Sequence, residues 1–100
     1  MQSKIRVKVD KDIRELIPRF LQSMNNKVRL LREALQNSDY VKIYSLGHQL
    51  KGIGGPYGFE RISQLGALVD EYAKNENRQK LEEAVKELAL YLEAVEVFYE

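Results

Sequence analysis

Ile43-Tyr44-Ser45-Leu46-Gly47-His48-Gln49-Leu50-Lys51-Gly52-Ile53 is the stretch that decides how the chain is organised. A helix turns by about 100° per residue, so positions 43, 46, 50 and 53 gather on one side. His48 points roughly 140–200° away from each of them, so it faces solvent if the apolar stripe faces a core. Immediately afterwards comes a glycine-rich run, Gly52 to Gly58, carrying Pro56, which interrupts the helical pattern.

The pattern extends in both directions. Upstream, Ile13, Leu16, Ile17, Phe20, Leu21, Met24, Val28, Leu31 and Leu35 recur at threes and fours, a helical stripe reaching residues 34–36. Pro18 lies inside it and lacks an N–H, so it splits off a short helix or kinks the stripe. Asn37-Ser38-Asp39 reads as a turn with an N-cap. Downstream, Phe59, Ile62, Leu65, Leu68, Val69 and Tyr72 mark a third long helix, closed by Asn75-Glu76-Asn77. Leu81, Val85, Leu88, Leu92, Val95 and Tyr99 form a heptad-like seam for the fourth. Residues 1–10 alternate charged and apolar side chains (Ile5, Val7, Val9), suiting an extended arm on the domain, with Asp10 or Asp12 as a cap. The expectation is a single all-α domain over 1–100, helical over 11–100. Its form is an antiparallel four-helix bundle with a short extra N-terminal helix and almost no support for β structure.

Composition narrows the chemistry. Of 100 residues, 44% are hydrophobic and 31% charged, the balance of an ordinary globular domain. A formal net charge of +1 advertises neither a nucleic-acid nor an anionic-membrane surface. No apolar run approaches the roughly 20 residues of a membrane span, and the N-terminus has no apolar core of a secretion signal, so a cytoplasmic protein is expected. Without cysteine, disulfides, thiol nucleophiles and thiolate metal sites are excluded. One histidine offers no zinc-ligand spacing, and the glycines at 52, 54, 55 and 58 are not followed by the Lys-Ser/Thr of a phosphate-binding loop. Neither a metal nor a cofactor is expected.

Chemistry must therefore rest on His48. Its own helix face carries Tyr44, Lys51, Gly52 and Gly55. Glycine in a helix costs about 1 kcal/mol relative to alanine, so Gly47, Gly52, Gly54 and Gly55 look like a penalty without folding benefit. Clearance is one reason to accept it: bare backbone beside the imidazole lets another protein come close. Lys51, one turn on, is a mobile charge suited to a phosphoryl oxygen. Taken singly, these features are a surface histidine, a helix break and a solvated lysine. Their weight comes from sharing one face. Tyr44 fits core-edge packing and partner contact equally well. Tyr72, Tyr91 and Tyr99 read as packing residues, and Lys4, Arg6, Lys8 and Lys11 as a solvated edge.

The stretch from Gly47 to Phe59 resembles the signature of the histidine-containing phosphotransfer (HPt) domain: His-x-Leu-Lys-Gly, with a glycine ten residues after the histidine. Ile62, Leu65 and Asp70 resemble the helix that packs beside the histidine helix in that family, and the helix order is similar over essentially the whole chain. The resemblance implies that His48 is the phosphorylated histidine, Lys51 the lysine beside the phosphoryl group, Gly52 the small residue that keeps the docking face open, and Gly58 the turn between the second and third long helices. Gly55 matches a small position. Asp70 falls where phosphotransfer domains of chemotaxis kinases place a glutamate bonded to the histidine ring, and is one methylene shorter. Ile53 and Gly54 stand where many members have Ser or Ala, and Pro56 is unusual in what is often continuous helix, so the helix is expected to end or kink there.

By the same resemblance, His48 would take a phosphoryl group from a receiver-domain aspartyl phosphate, or from a histidine kinase, and pass it to a response regulator. The partner receiver would supply Mg²⁺. The chain would be a monomeric phosphocarrier, not an enzyme, and would bind no small molecule. A helical scaffold without phosphotransfer is the alternative. A small enzyme with His48 as general base lacks any partner residue.

Overall fold

The computed structural model describes residues 4–100, so the first three residues of the expected arm lie outside the described part. The protein is mostly helical. Four long helices, α1 (Ile17–Gln36), α2 (Tyr40–Ile53), α3 (Glu60–Lys74) and α4 (Arg78–Ala94), follow a strand, β1 (Ile5–Val9), and a 3-10 segment, Lys11–Leu16. The most extensive packing joins α2 to α3; α1 meets both α2 and α4, and α4 meets α3, closing a ring around one core. Met24, Leu31, Ile43, Leu50, Phe59, Ile62, Leu65, Leu81 and Leu88 have no or almost no exposed surface. The helical stripes supply most of that core, joined by Val9 of β1, whereas Leu16 of the first stripe is exposed.

Pro18 does not kink a helix. It occupies the first turn of α1, where its missing N–H has no intrahelical partner to lose, and the short helix before it is a 3-10 turn capped by the Asp10 carboxylate. Helices α1 and α3 end in the same way. After α1, Ser38 adopts φ 50°, its N–H bonds to the Leu35 carbonyl, and Asp39 N–H bonds to that of Ala34. After α3, Glu76 adopts φ 50°, its N–H bonds to Ala73, and Asn77 N–H bonds to Tyr72. Both are Schellman closures built without glycine. In each, the last residue then caps the next helix: Asp39 accepts from Lys42 N–H and Asn77 from Lys80 N–H.

Two expectations fail at the C-terminus. The fourth helix stops at Ala94, not beyond Tyr99, and Val95–Tyr99 is a strand, β2, paired in parallel with β1. The register sets Ile5 against Val95, Val7 against Val97 and Val9 against Tyr99. Val95-Glu96-Val97-Phe98-Tyr99 is β-branched and aromatic, and so suited to a pleated edge, and its partner lies 90 residues away. Of the three tyrosines read as packing residues, Tyr91 is buried and Tyr72 and Tyr99 are half-buried against the core.

Candidate functional site

His48 sits in α2 with its side chain 69% exposed, while Leu46 and Leu50 on either side of it are buried. The apolar stripe faces the core, and the imidazole faces outward. Helix α2 ends at Ile53, followed by a 3-10 turn, Gly55–Tyr57, that places Pro56 in its first positions. That turn is held by packing: Phe20 of α1 stacks on Tyr57, with ring centroids 4.3 Å apart, and on Phe59 at 5.2 Å.

The glycines divide by what a side chain would meet. A Cβ on Gly52 would meet nothing within 4 Å, so the backbone there borders open space one turn from the imidazole. Gly47 is different. Its Cβ would lie 2.7 Å from the backbone nitrogen of Asp70 and 2.8 Å from Val69, so glycine is required for α3 to lie this close. Gly66, on α3, faces the same contact, where a Cβ would run into the backbone of Leu50 and Lys51. Gly54 would collide with Ser63 and Phe59. The reading of these glycines as clearance without folding benefit is therefore wrong for Gly47 and Gly54, which serve helix packing. Gly55 lies beyond the end of α2, so the helical wheel that put it on the His48 face stops short of it; its N–H donates to Ser63 Oγ at 2.7 Å. Gly58 adopts φ 93° and turns the chain toward α3.

Close approach brings α3 to the imidazole. Asp70 is buried, with its side chain 7% exposed, and its Oδ2 lies 3.5 Å from His48 Nδ1. That is long for a hydrogen bond, and such contacts commonly tighten when a reactant is bound. Aspartate reaches the ring despite its short side chain because Gly47, next to His48 in the chain, lets the Asp70 backbone come in. The second carboxylate oxygen, Oδ1, pairs with Lys74 Nζ at 3.4 Å. Lys74 Nζ also lies 5.4 Å from the centre of the Tyr44 ring, and that ring stacks near the imidazole at 6.2 Å. Lys51 is exposed on the same helix as His48 and forms no ion pair among the described residues.

The structure thus gathers Tyr44, His48 and Asp70, sets Lys51 and Gly52 beside them on α2, and leaves Gly55 and Gly58 in the connection beyond. Reading the sequence missed Lys74 and Gly66. The spacing Asp70-x-x-x-Lys74 is a helical ion-pair signal that could have found the first. A lone glycine in an apolar stripe gives no comparable signal for the second. No group of three or more His, Cys, Asp or Glu among the described residues could hold a metal ion. No helix among them is long and apolar enough to cross a membrane.

A family model described as the Hpt domain matches residues 15–97. No curated protein and no solved structure matches the chain.

Proposed function

Because the chain belongs to the Hpt domain family, whose members carry phosphoryl groups on histidine in two-component phosphorelays, we propose that His48 is the carrier residue here. The observation that supports it best is the exposed imidazole with open space at Gly52 on one side and a buried carboxylate at Nδ1 on the other. A carboxylate accepting from Nδ1–H fixes the tautomer that leaves the Nε2 lone pair free.

In the forward step Nε2 attacks the phosphorus of a receiver's aspartyl phosphate. The N–P bond forms, the P–O bond breaks, and the electron pair leaves with the receiver's carboxylate. The ring becomes positively charged, with Asp70 beside its Nδ1–H. Lys51 lies one turn along and offsets charge on the phosphoryl oxygens. In the return step the carboxylate of a second receiver attacks phosphorus, and the N–P pair returns to Nε2. Mg²⁺ and the acidic pocket belong to the receiver, so most of the charge neutralisation does too. This chain contributes a nucleophile and its orientation. It acts as a phosphocarrier, on a bundle whose three-residue α1–α2 and α3–α4 connections suit antiparallel neighbours. Receiver domains, with a histidine kinase as the other donor, are its partners, and the monomer in the cytoplasm is its working form.

The test is incubation with a labelled, phosphorylated receiver domain, followed by a search for acid-labile label on this chain. Wild type should take up label. His48→Gln should take up none while its circular dichroism stays unchanged, because the side chain supports no core. Lys51→Ala should slow uptake without abolishing it. Uptake by His48→Gln equal to wild type would sink the proposal, as would failure of wild type with every competent receiver. Either result leaves the scaffold reading.

A further inference from the structure

The Asp70 carboxylate is almost enclosed, and among the described residues only two side chains pair with it: His48 at Oδ2 and Lys74 at Oδ1. Lys74 follows Asp70 by one helical turn, with the acid N-terminal, the favourable order for such a pair. Its ammonium also rests over the face of Tyr44, which gives a flexible lysine a second point of attachment. Tyr44 in turn borders the imidazole. The four residues form a closed circuit around one ring: His48 to Asp70, Asp70 to Lys74, Lys74 to Tyr44, and Tyr44 back to His48.

We infer that Lys74 is a positioning residue for His48: by holding Oδ1 from the far side, it locks the Asp70 carboxylate so that Oδ2 stays aimed at Nδ1. A nearly enclosed carboxylate is costly to leave without a countercharge. Removing Lys74 therefore releases Oδ1, and the carboxylate turns toward water, away from the ring. The imidazole then relaxes toward the Nε2–H form that a free neutral imidazole prefers, which places the proton on the nitrogen that must attack. Lys51 cannot substitute, because it lies on the opposite side of His48 along α2, toward its C-terminal end, and does not pair with Asp70.

The tautomer equilibrium of His48 tests this directly. It is read from ¹⁵N ring shifts at about pH 8.5, where an ordinary imidazole is neutral and an ordinary lysine still charged. Lys74→Met keeps the alkyl stem and removes the charge. It should lower the ratio of Nδ1–H to Nε2–H forms by about fivefold, and Lys74→Arg should restore most of it. A merely structural lysine would shift the thermal midpoint and leave the ratio alone. An unchanged ratio in Lys74→Met overturns the inference. So does a ratio that rises, which would mean that Lys74 competes with the ring for the carboxylate. The role in transfer rests on the phosphocarrier reading: Lys74→Met should also slow label uptake several-fold. The ring shifts need no phosphodonor, so failure of the phosphocarrier reading and failure of the positioning role give different results.

Discussion

Adding one methyl group at Gly47 would force it against the backbone of Asp70, whereas at Gly52, five residues on, it would meet nothing. The two substitutions should therefore have opposite consequences. Gly47→Ala pushes α3 away from α2 or strains both, and overpacking of this kind costs about 1–3 kcal/mol. It should lower the chemical-denaturation midpoint and also slow transfer, because the Asp70 carboxylate is withdrawn from the ring. Gly52→Gln should leave stability unchanged or raise it by up to about 1 kcal/mol through helix propensity. It should nevertheless slow transfer, since the new side chain enters the space a partner needs. Equal uptake by wild type and folded Gly52→Gln would refute the clearance role. A Gly47→Ala protein as stable as wild type would refute the packing role. At this scale the sequence made the outward direction of His48 legible through simple helix periodicity. It did not separate packing glycines from open ones, because that difference depends on which surface of α3 arrives opposite each one.

The connections show what an element needs at its ends. Ser38 and Glu76 hold left-handed backbone at positions where glycine is usual, while Gly58 holds φ 93° with glycine in place. A left-handed residue with a Cβ costs about 1–2 kcal/mol, and glycine's greater freedom in the unfolded chain returns about 0.5–1 kcal/mol of that. Glu76→Gly should accordingly stabilise by about 0.5–1 kcal/mol, raising the thermal midpoint by a few degrees. The glutamate makes no ion pair among the described residues that the change would sacrifice. Gly58→Ala should destabilise by a similar amount. A Cβ there would make only ordinary contacts with Val9 and Lys8, so the cost is in the backbone and not in space. If Glu76→Gly melts below wild type, the strain argument is wrong. Turn residues and apolar stripes were readable because their causes are local. The end of α4 was not: Val95 and Tyr99 continue the heptad spacing of Leu81, Val85, Leu88 and Leu92, and only the strand at the other end of the chain draws them into a sheet. Pairing between distant segments leaves no local periodicity to read.

For the molecule as a whole, the stripes make most of the core, and the candidate site lies at its edge, with His48 exposed and Asp70 buried. Core stability can therefore be probed apart from transfer only at residues away from the His48–Asp70 contact. The clearest handle on the core is Tyr91 of α4, which is buried among apolar side chains. Burial pushes its hydroxyl pKa above the ordinary tyrosine value, and the positive charge of Arg61, held to α4 through Glu87, offsets part of that rise. The folded state thus holds the Tyr91 proton more tightly than the unfolded chain does. Below about pH 10 both states are protonated, and the contribution is constant and fully present. Above that, the unfolded chain releases the proton first, so stability falls as pH rises toward the folded-state pKa. Denaturation midpoints measured from neutral pH to above pH 10 should therefore decline at the alkaline end. Free tyrosine and lysine side chains ionise in the same range, so the decisive quantity is the difference between wild type and Tyr91→Phe. That difference should be flat with pH below about 10 and should shift in favour of Tyr91→Phe above it. Parallel curves through the alkaline range would mean that the hydroxyl reaches water in the folded state. Label uptake at neutral pH should be the same in both proteins, because Tyr91 belongs to the core and not to the circuit around His48.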